Sequence, residues 1–350
     1  MDVHEEVQNY YGKELQGSTD LKTDACCVGA QPPEYLKQVI GNIHDDVLDR
    51  FYGCGFPISA ALEGASVLDL GSGTGRDVYI YSQLVGEQGE VVGVDMTKEQ
   101  LDVARSVEAY QADKFGYSSP NTQFIEGNIE DLKSAGLEDA RFDLVISNCV
   151  VNLAADKAQV FREIARVLKE GGEFYFSDVF CDRRLPEAVA KDPVLYGECL
   201  GGTLYINDFL KMIKDCGFAD PRLVEESVIT LNDEIKDKCG NAKFVSRTYR
   251  LFKLNDLDVQ CEDYGQLAVY KGSIAHSPNL FVLDDHHWFE TNRPERICRN
   301  TAKMLAETRF AKHFDVIGDT STHYGEYPCG GTMAYDQYST EEDQKVGSCC

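Results

Sequence analysis

A chain of 350 residues, 43% of them hydrophobic, is long enough for two or three domains with packed cores. Its formal charge of −25 excludes a nucleic-acid or anionic-membrane surface as partner, because both require basic patches. It contains no apolar run of about 18 residues, the length that crosses a bilayer. The start Met1-Asp2-Val3-His4-Glu5-Glu6 is acidic and has no apolar stretch, so no secretory signal is expected and the setting is read as cytoplasmic.

The first 64 residues read as a polar, cysteine-bearing cap. It holds the pair Cys26-Cys27, a helix over 33–52 and the segment Tyr52-Gly53-Cys54-Gly55. From 65 to 256 apolar strands alternate with helices. Strands are predicted at 65–70, 90–95, 122–126, 142–147, 173–178, 222–230 and 247–254, and helices at 76–85, 97–115, 156–169 and 207–216. Thr97 and Gln100 suggest a capping box, and Gly171-Gly172 a stop for the helix before the fifth strand. The alternation predicts an α/β fold, a Rossmann-like parallel sheet of seven strands with helices on both faces. Residues 257–350 change character and predict a smaller α+β domain. Its strands fall at 266–273 and 280–283, its helix at 296–307, and a polar tail ends in Cys349-Cys350.

The most informative stretch is Val67-Leu68-Asp69-Leu70-Gly71-Ser72-Gly73-Thr74-Gly75-Arg76-Asp77: a strand, a glycine turn and a helix start. A second strand ends in Asp95. Strand, glycine turn, helix and acid-tipped strand form a nucleotide-binding arrangement. The spacing is G-x-G-x-G rather than the dinucleotide G-x-G-x-x-G. Asp69 and Asp77 flank the turn, where they would repel a pyrophosphate and suit a cation. S-adenosylmethionine carries a sulfonium and an ammonium, and Asp95 can accept hydrogen bonds from its ribose hydroxyls. Asp69, Gly71, Ser72, Gly73, Thr74, Gly75 and Asp95 are therefore candidate cofactor residues. Met96 could pack on the adenine, although a methionine is more often core filling. Asn128 and Ile129 follow the third strand. Asn128 could read the adenine edge or simply make an Asx turn, and both readings stand.

Ser147-Asn148-Cys149 follows the fourth strand, and ligands in open α/β sheets lie outside the carboxyl ends of the strands. Topology thus places Asn148 and Cys149 at the reacting end of the cleft. Leu195-Tyr196-Gly197-Glu198-Cys199-Leu200-Gly201-Gly202 lies after the fifth strand, and its three glycines suggest irregular structure and close backbone approach. Cys54, Cys149 and Cys199 could meet at one pocket or be unrelated buried thiols. Thirteen cysteines occur without a C-x-x-C pair, which argues against a zinc ribbon or finger. Without a secretory signal, a disulfide framework is not expected either. Thiolates select soft centres, and methyl transfer needs a nucleophile in line with the S–CH₃ bond.

These segments resemble the S-adenosylmethionine-dependent arsenite methyltransferases, a class I methyltransferase family. The resemblance rests on Tyr52-Gly53-Cys54-Gly55, the glycine turn, Gly93-Val94-Asp95-Met96-Thr97, Ser147-Asn148-Cys149-Val150-Val151-Asn152-Leu153, Tyr175-Phe176-Ser177-Asp178-Val179 and Gly197-Glu198-Cys199-Leu200-Gly201-Gly202. It covers residues 8–254 well and the C-terminal region poorly, although the family has such a domain. It implies that Cys149 and Cys199 bind trivalent arsenic in an insertion near 181–205, with Cys54 or glutathione as a third thiol. It further implies that Cys54 and the N-terminal cysteine, Cys26, form disulfides with the ligand cysteines during turnover. The implied reaction methylates arsenite and methylarsenite, with no metal ion required, and thioredoxin or glutathione restores the thiols. Two rivals remain to be separated from it: a methyltransferase acting on carbon, nitrogen or oxygen of a small organic acceptor, and a non-catalytic arsenite-binding protein.

Overall fold

The structure is a computed structural model that describes residues 32–50, 53 and 56–329. The expectations for Cys26, Cys27, Cys54, Cys349, Cys350 and the tail fall outside these residues.

The central sheet forms because its inner strands are apolar on both faces, as strands covered by helices on each side must be. β1 (Ser66–Leu70) is buried throughout. Leu68 and Leu70 point into one core with Phe142, Phe161, Phe174 and Phe176. Val67 points into the opposite core with Val78, Ile80 and Leu101. Around β1 lie β2 (Glu90–Asp95), β3 (Thr122–Glu126), β4 (Phe142–Asn148), β5 (Leu168–Cys181), β7 (Arg222–Val228) and β8 (Phe244–Phe252), in the order β3-β2-β1-β4-β5-β8-β7. The seven expected strands are present, and a two-residue β6 (Leu204–Tyr205) paired with β5 makes eight. β8 runs antiparallel between β5 and β7. β1 pairs in parallel with both β2 and β4, so the strand order reverses beside β1, and a ligand crevice opens at such a switch point.

The helices differ from expectation where local chemistry interrupts them. The helix expected over 33–52 is two short ones, α1 (Glu34–Ile40) and α2 (Asp45–Leu48). The chain breaks after Gly41, and the His44 side chain caps α2 by accepting from the Asp46 N–H. α3 (Arg76–Val85) follows the glycine turn. The helix expected over 97–115 divides at Val107 into α4 (Lys98–Ser106) and α5 (Glu108–Phe115). The expected capping box does not form, because Thr97 donates instead to Asp95. α6 (Lys157–Val167) is capped by Asp156, whose carboxylate accepts from the Gln159 N–H. It ends directly into β5, so Gly171-Gly172 lies inside the strand rather than ahead of it. A side chain at Gly171 would collide with the Glu307 carbonyl, so this glycine lets the C-terminal unit approach.

Two short helices, α7 (Glu187–Ala190) and α8 (Pro193–Gly197), precede β6. The segment 195–202 is therefore partly helical, contrary to the irregular structure expected. α9 (Ile206–Asp215) and α10 (Asp233–Cys239) complete the helices of this part.

The C-terminal unit has its own core of Phe252, Tyr270, Phe281, Phe289, Met304, Phe310 and Phe314. β10 (Leu267–Tyr270) lies between β13 (Pro294–Arg296) and β14 (Phe314–Ile317), antiparallel to both. Short β9 (Glu262–Asp263) pairs with β15 (Gly325–Glu326), and β11 (Leu280–Val282) with β12 (Trp288–Glu290). α11 (Arg299–Ala306) starts later than expected because Arg296 ends β13 and Cys298 is the N-cap of the helix. A buried polar seam joins the unit to the sheet. Glu173 on β5 accepts from Arg250, Arg309 and Ser59. Burial alone pushes Glu173 up, but the Arg309 and Arg250 guanidiniums outweigh it and hold the carboxyl below its usual value. Among the described residues no helix is long and apolar enough to cross a membrane.

Candidate functional site

The switch point holds a pocket lined by Asp69, Gly71, Ser72, Gly73, Thr74, Arg76 and Asp77 from the glycine turn, and by Asp95, Met96, Thr97 and Gln100 after β2. Asn128, Ile129 and Glu130 after β3 and Asn148, Cys149 and Leu153 after β4 close it. The candidate cofactor residues named from the sequence thus meet around one space, apart from Gly75, which caps α3 with a left-handed backbone. Gly73 shows why glycine is needed. Its φ is +53° and nothing lies where a side chain would project, so its backbone is bare toward the pocket. Its N–H donates to Asp95 at 2.9 Å, and the Thr97 N–H donates to the other carboxylate oxygen at 2.8 Å. These bonds fix the plane of the carboxylate at the mouth of β2.

The electrostatics suit a cationic ligand. Asp69 is buried, and desolvation, with Asp77 and Asp95 nearby, pushes it well above the usual carboxylate range; Arg76 offsets part of this. Desolvation also raises Asp95 against the pull of its N–H donors. Asp77 is tied at 2.8 Å to Arg76 and at 3.0 Å to the Asn148 amide. Asn148 therefore acts at least partly by holding Asp77. Among the described residues the buried Ser72 hydroxyl has no hydrogen-bond partner. An unsatisfied hydroxyl, a bare glycine and crowded carboxylates fit S-adenosylmethionine, which brings hydrogen-bonding groups and positive charge. Asn128 accepts from the Glu130 N–H at 2.8 Å, so the Asx turn is real and forms part of the pocket wall.

Of the two open readings for Cys149 and Cys199, the structure brings these two into one neighbourhood. The Cys199 thiol donates to the Cys149 carbonyl at 3.2 Å. Both are buried in an apolar cluster with Leu153, Val179, Leu195 and Leu200. Both also have left-handed backbones, with φ of +59° and +61°, a conformation uncommon outside glycine that is often retained at functional sites. Cys149 is disulfide-bonded. The close approach expected of the glycines holds, since a side chain at Gly202 would collide with the Asn152 carbonyl.

Several supporting residues escaped the sequence reading. Asp178 accepts from the Asn152 N–H and amide and from the Val179 N–H, which pins the loop after Cys149. Its burial pushes it up to about 7, against these donors. Lys157 is half-buried beside Asp178, Glu130 and Cys199, and desolvation lowers it. The Tyr196 hydroxyl donates to the Leu153 carbonyl at 3.2 Å and ties α8 to the same loop. Only the resemblance of 175–179 hinted at Asp178, and nothing local marked Lys157 or Tyr196. By contrast, Cys181, Cys216 and Cys239 are pushed up by burial, as expected of thiols that serve as packing groups.

Residues 62–217 match the methyltransferase-domain family, and residues 264–350 match the arsenite methyltransferase C-terminal domain. A protein of Aquipseudomonas alcaligenes named arsenite methyltransferase is 52% identical over 99% of this chain and all of its own length. The human arsenite methyltransferase is 42% identical over 89% of this chain and 83% of its own. The crystal structure of an arsenic(III) S-adenosylmethionine methyltransferase from Chlamydomonas reinhardtii is 51% identical and superposes with a TM-score of 0.82, covering 85% of this chain and all of that one. With the cleft, its acids and its paired cysteines in place, the chain belongs to the arsenite methyltransferase family.

Proposed function

We propose that this protein transfers methyl groups from S-adenosylmethionine to trivalent arsenic held by Cys149 and Cys199. The observation that carries the reading is that Cys149 lines the acid-lined pocket while the Cys199 thiol reaches the Cys149 carbonyl from behind it. S-adenosylmethionine supplies an electrophilic methyl carbon on a sulfonium. Asp95 would hold its ribose, Ser72, Gly73 and Thr74 the turn beneath it, and Met96, Asn128 and Ile129 the base. Asp69 gains a counter-charge when the cation enters, which offsets the cost of a buried carboxylate.

Trivalent arsenic has a lone pair, so it needs no general base. The apolar cluster around Cys149 and Cys199 excludes water, which favours thiolate ligands over hydroxide on arsenic. When the lone pair forms an As–C bond, arsenic is formally oxidised to the pentavalent state. Two protein thiolates return it to the trivalent state by giving up two electrons and forming a disulfide. A disulfide at Cys149 is consistent with an oxidised stage of such a cycle. Cys54 and Cys26 remain the proposed redox partners. An external dithiol or glutathione, of the thioredoxin class of chemistry, must then reduce the bond by exchange.

With arsenite, a thiol reductant and S-adenosylmethionine, methylated arsenic and S-adenosylhomocysteine should accumulate together. Tight arsenite binding without S-adenosylhomocysteine would instead favour a sequestering protein. Activity on an organic acceptor that survives Cys149→Ser and Cys199→Ser would favour the other rival.

A further inference from the structure

A second group of thiols lies in the C-terminal unit, far along the sequence from the cleft cysteines. Cys261, Cys298 and Cys329 come from three separate segments, and their sulfurs all lie within 4.8 Å of one another. None is in a disulfide. Cys298 is fully buried and caps α11. Its sulfur accepts from the Thr301 N–H at 3.4 Å and lies 3.2 Å from the Thr301 hydroxyl. Arg222, reaching from β7 of the main sheet, places its guanidinium 3.8 Å from the same sulfur. Asp220 and Asp284 hold that guanidinium at 2.7 and 3.0 Å. Three sulfurs from three segments are thus gathered around one point, beside a guanidinium and a helix start.

We propose that Cys261, Cys298 and Cys329 form a second, non-catalytic site that binds one trivalent arsenic atom through three sulfurs. Soft thiolates select a soft centre, and three sulfurs around a shared point match an atom with three bonds and a lone pair. Tetrahedral zinc would need a fourth donor. The imidazoles of His286 and His287 come within 4.8 Å of Cys329, but not of all three sulfurs. His287 is also held by Asp284 through Nδ1 at 2.8 Å. Binding of arsenous acid breaks three As–O bonds and forms three As–S bonds. Three thiol protons convert the three hydroxyls to water, and no atom changes oxidation state. The choice of arsenic rests on the methyltransferase reading, whereas the grouping of the thiols does not.

The test uses full-length protein carrying Cys149→Ser and Cys199→Ser, so that the cleft pair no longer contributes. After arsenite and gel filtration, this protein should retain one more equivalent of arsenic than versions that also carry Cys298→Ser or, in a second variant, the less buried Cys329→Ser. Arsenite should protect Cys261, Cys298 and Cys329 from alkylation in the first protein. Equal retention in all three, with these thiols alkylated at unchanged rates, would overturn the proposal. So would purification with stoichiometric zinc that arsenite does not displace. Methylation by protein carrying only Cys298→Ser should persist, which separates failure of this site from failure of the cleft reading.

Discussion

The cleft and the C-terminal cluster both gather cysteines, but by opposite means. Cys149 and Cys199 sit in an apolar pocket on left-handed backbones, with one side open to the acid-lined space. The C-terminal three sit beside an arginine and a helix start. The first arrangement faces a space that can hold a second ligand, whereas the second has only Cys298 fully buried, with Cys261 and Cys329 half-buried. Thiol count alone therefore does not define an arsenic site. The neighbouring space and charge decide whether a bound atom can react.

The comparison can be broken most strongly at the cleft. Cys149→Ser and Cys199→Ser should each lower arsenite methylation by about 100-fold or more, the scale on which misplacing a reacting group acts, with S-adenosylmethionine binding retained. Calorimetry beside product analysis checks both halves. The two regions can next be loosened from each other at their seam. Glu173→Ala leaves the Arg250 and Arg309 guanidiniums without their carboxylate and should cost about 3–5 kcal/mol of stability, measured by denaturant unfolding. Asp95→Ala should weaken S-adenosylmethionine by roughly 10- to 100-fold, the loss of charge-assisted hydrogen bonds worth about 1.5–3 kcal/mol, while arsenite retention in the C-terminal cluster stays unchanged.

Asp178 gives the cleft side of the molecule a pH signature. Its folded value of about 7 lies above the ordinary 3.8, so between these values the folded protein holds a proton that the unfolded chain has released. Its contribution to stability is fully present below the lower value and is lost as pH rises through about 7. Asp178→Asn should remove that component, so the native protein should lose stability relative to the variant between pH about 4 and about 7, with the difference levelling off above that. The smallest effect sharpens the contrast with ordinary thiols. Cys216→Ser should leave methylation unchanged and alter stability by no more than about 0.5 kcal/mol.

Much of the cleft was legible because its chemistry is local in sequence. The glycine turn, Asp95 and Asn148 each stand at the carboxyl end of an apolar strand, and strand order alone brings such ends together. Cys199 was readable as a candidate from its glycines, but its partnership with Cys149 depends on α8 and the loop held by Asp178. The breaks at Gly41 and Val107 were missed because hydrophobic spacing runs across them, and the end of α6 was misplaced because a glycine pair inside β5 looked like a helix stop. The C-terminal thiols were passed over for a physical reason. Without a short C-x-x-C spacing, only the fold of β9, α11 and the segment after β15 brings Cys261, Cys298 and Cys329 within reach of one another.

The central claim, that arsenic on Cys149 and Cys199 receives the methyl group, is tested most directly in a single turnover with methyl-labelled S-adenosylmethionine and arsenite. The label should appear on arsenic released from the native protein and should be absent with Cys199→Ser that binds the donor equally well. Labelled methylarsenic formed by Cys199→Ser at the native rate would contradict it.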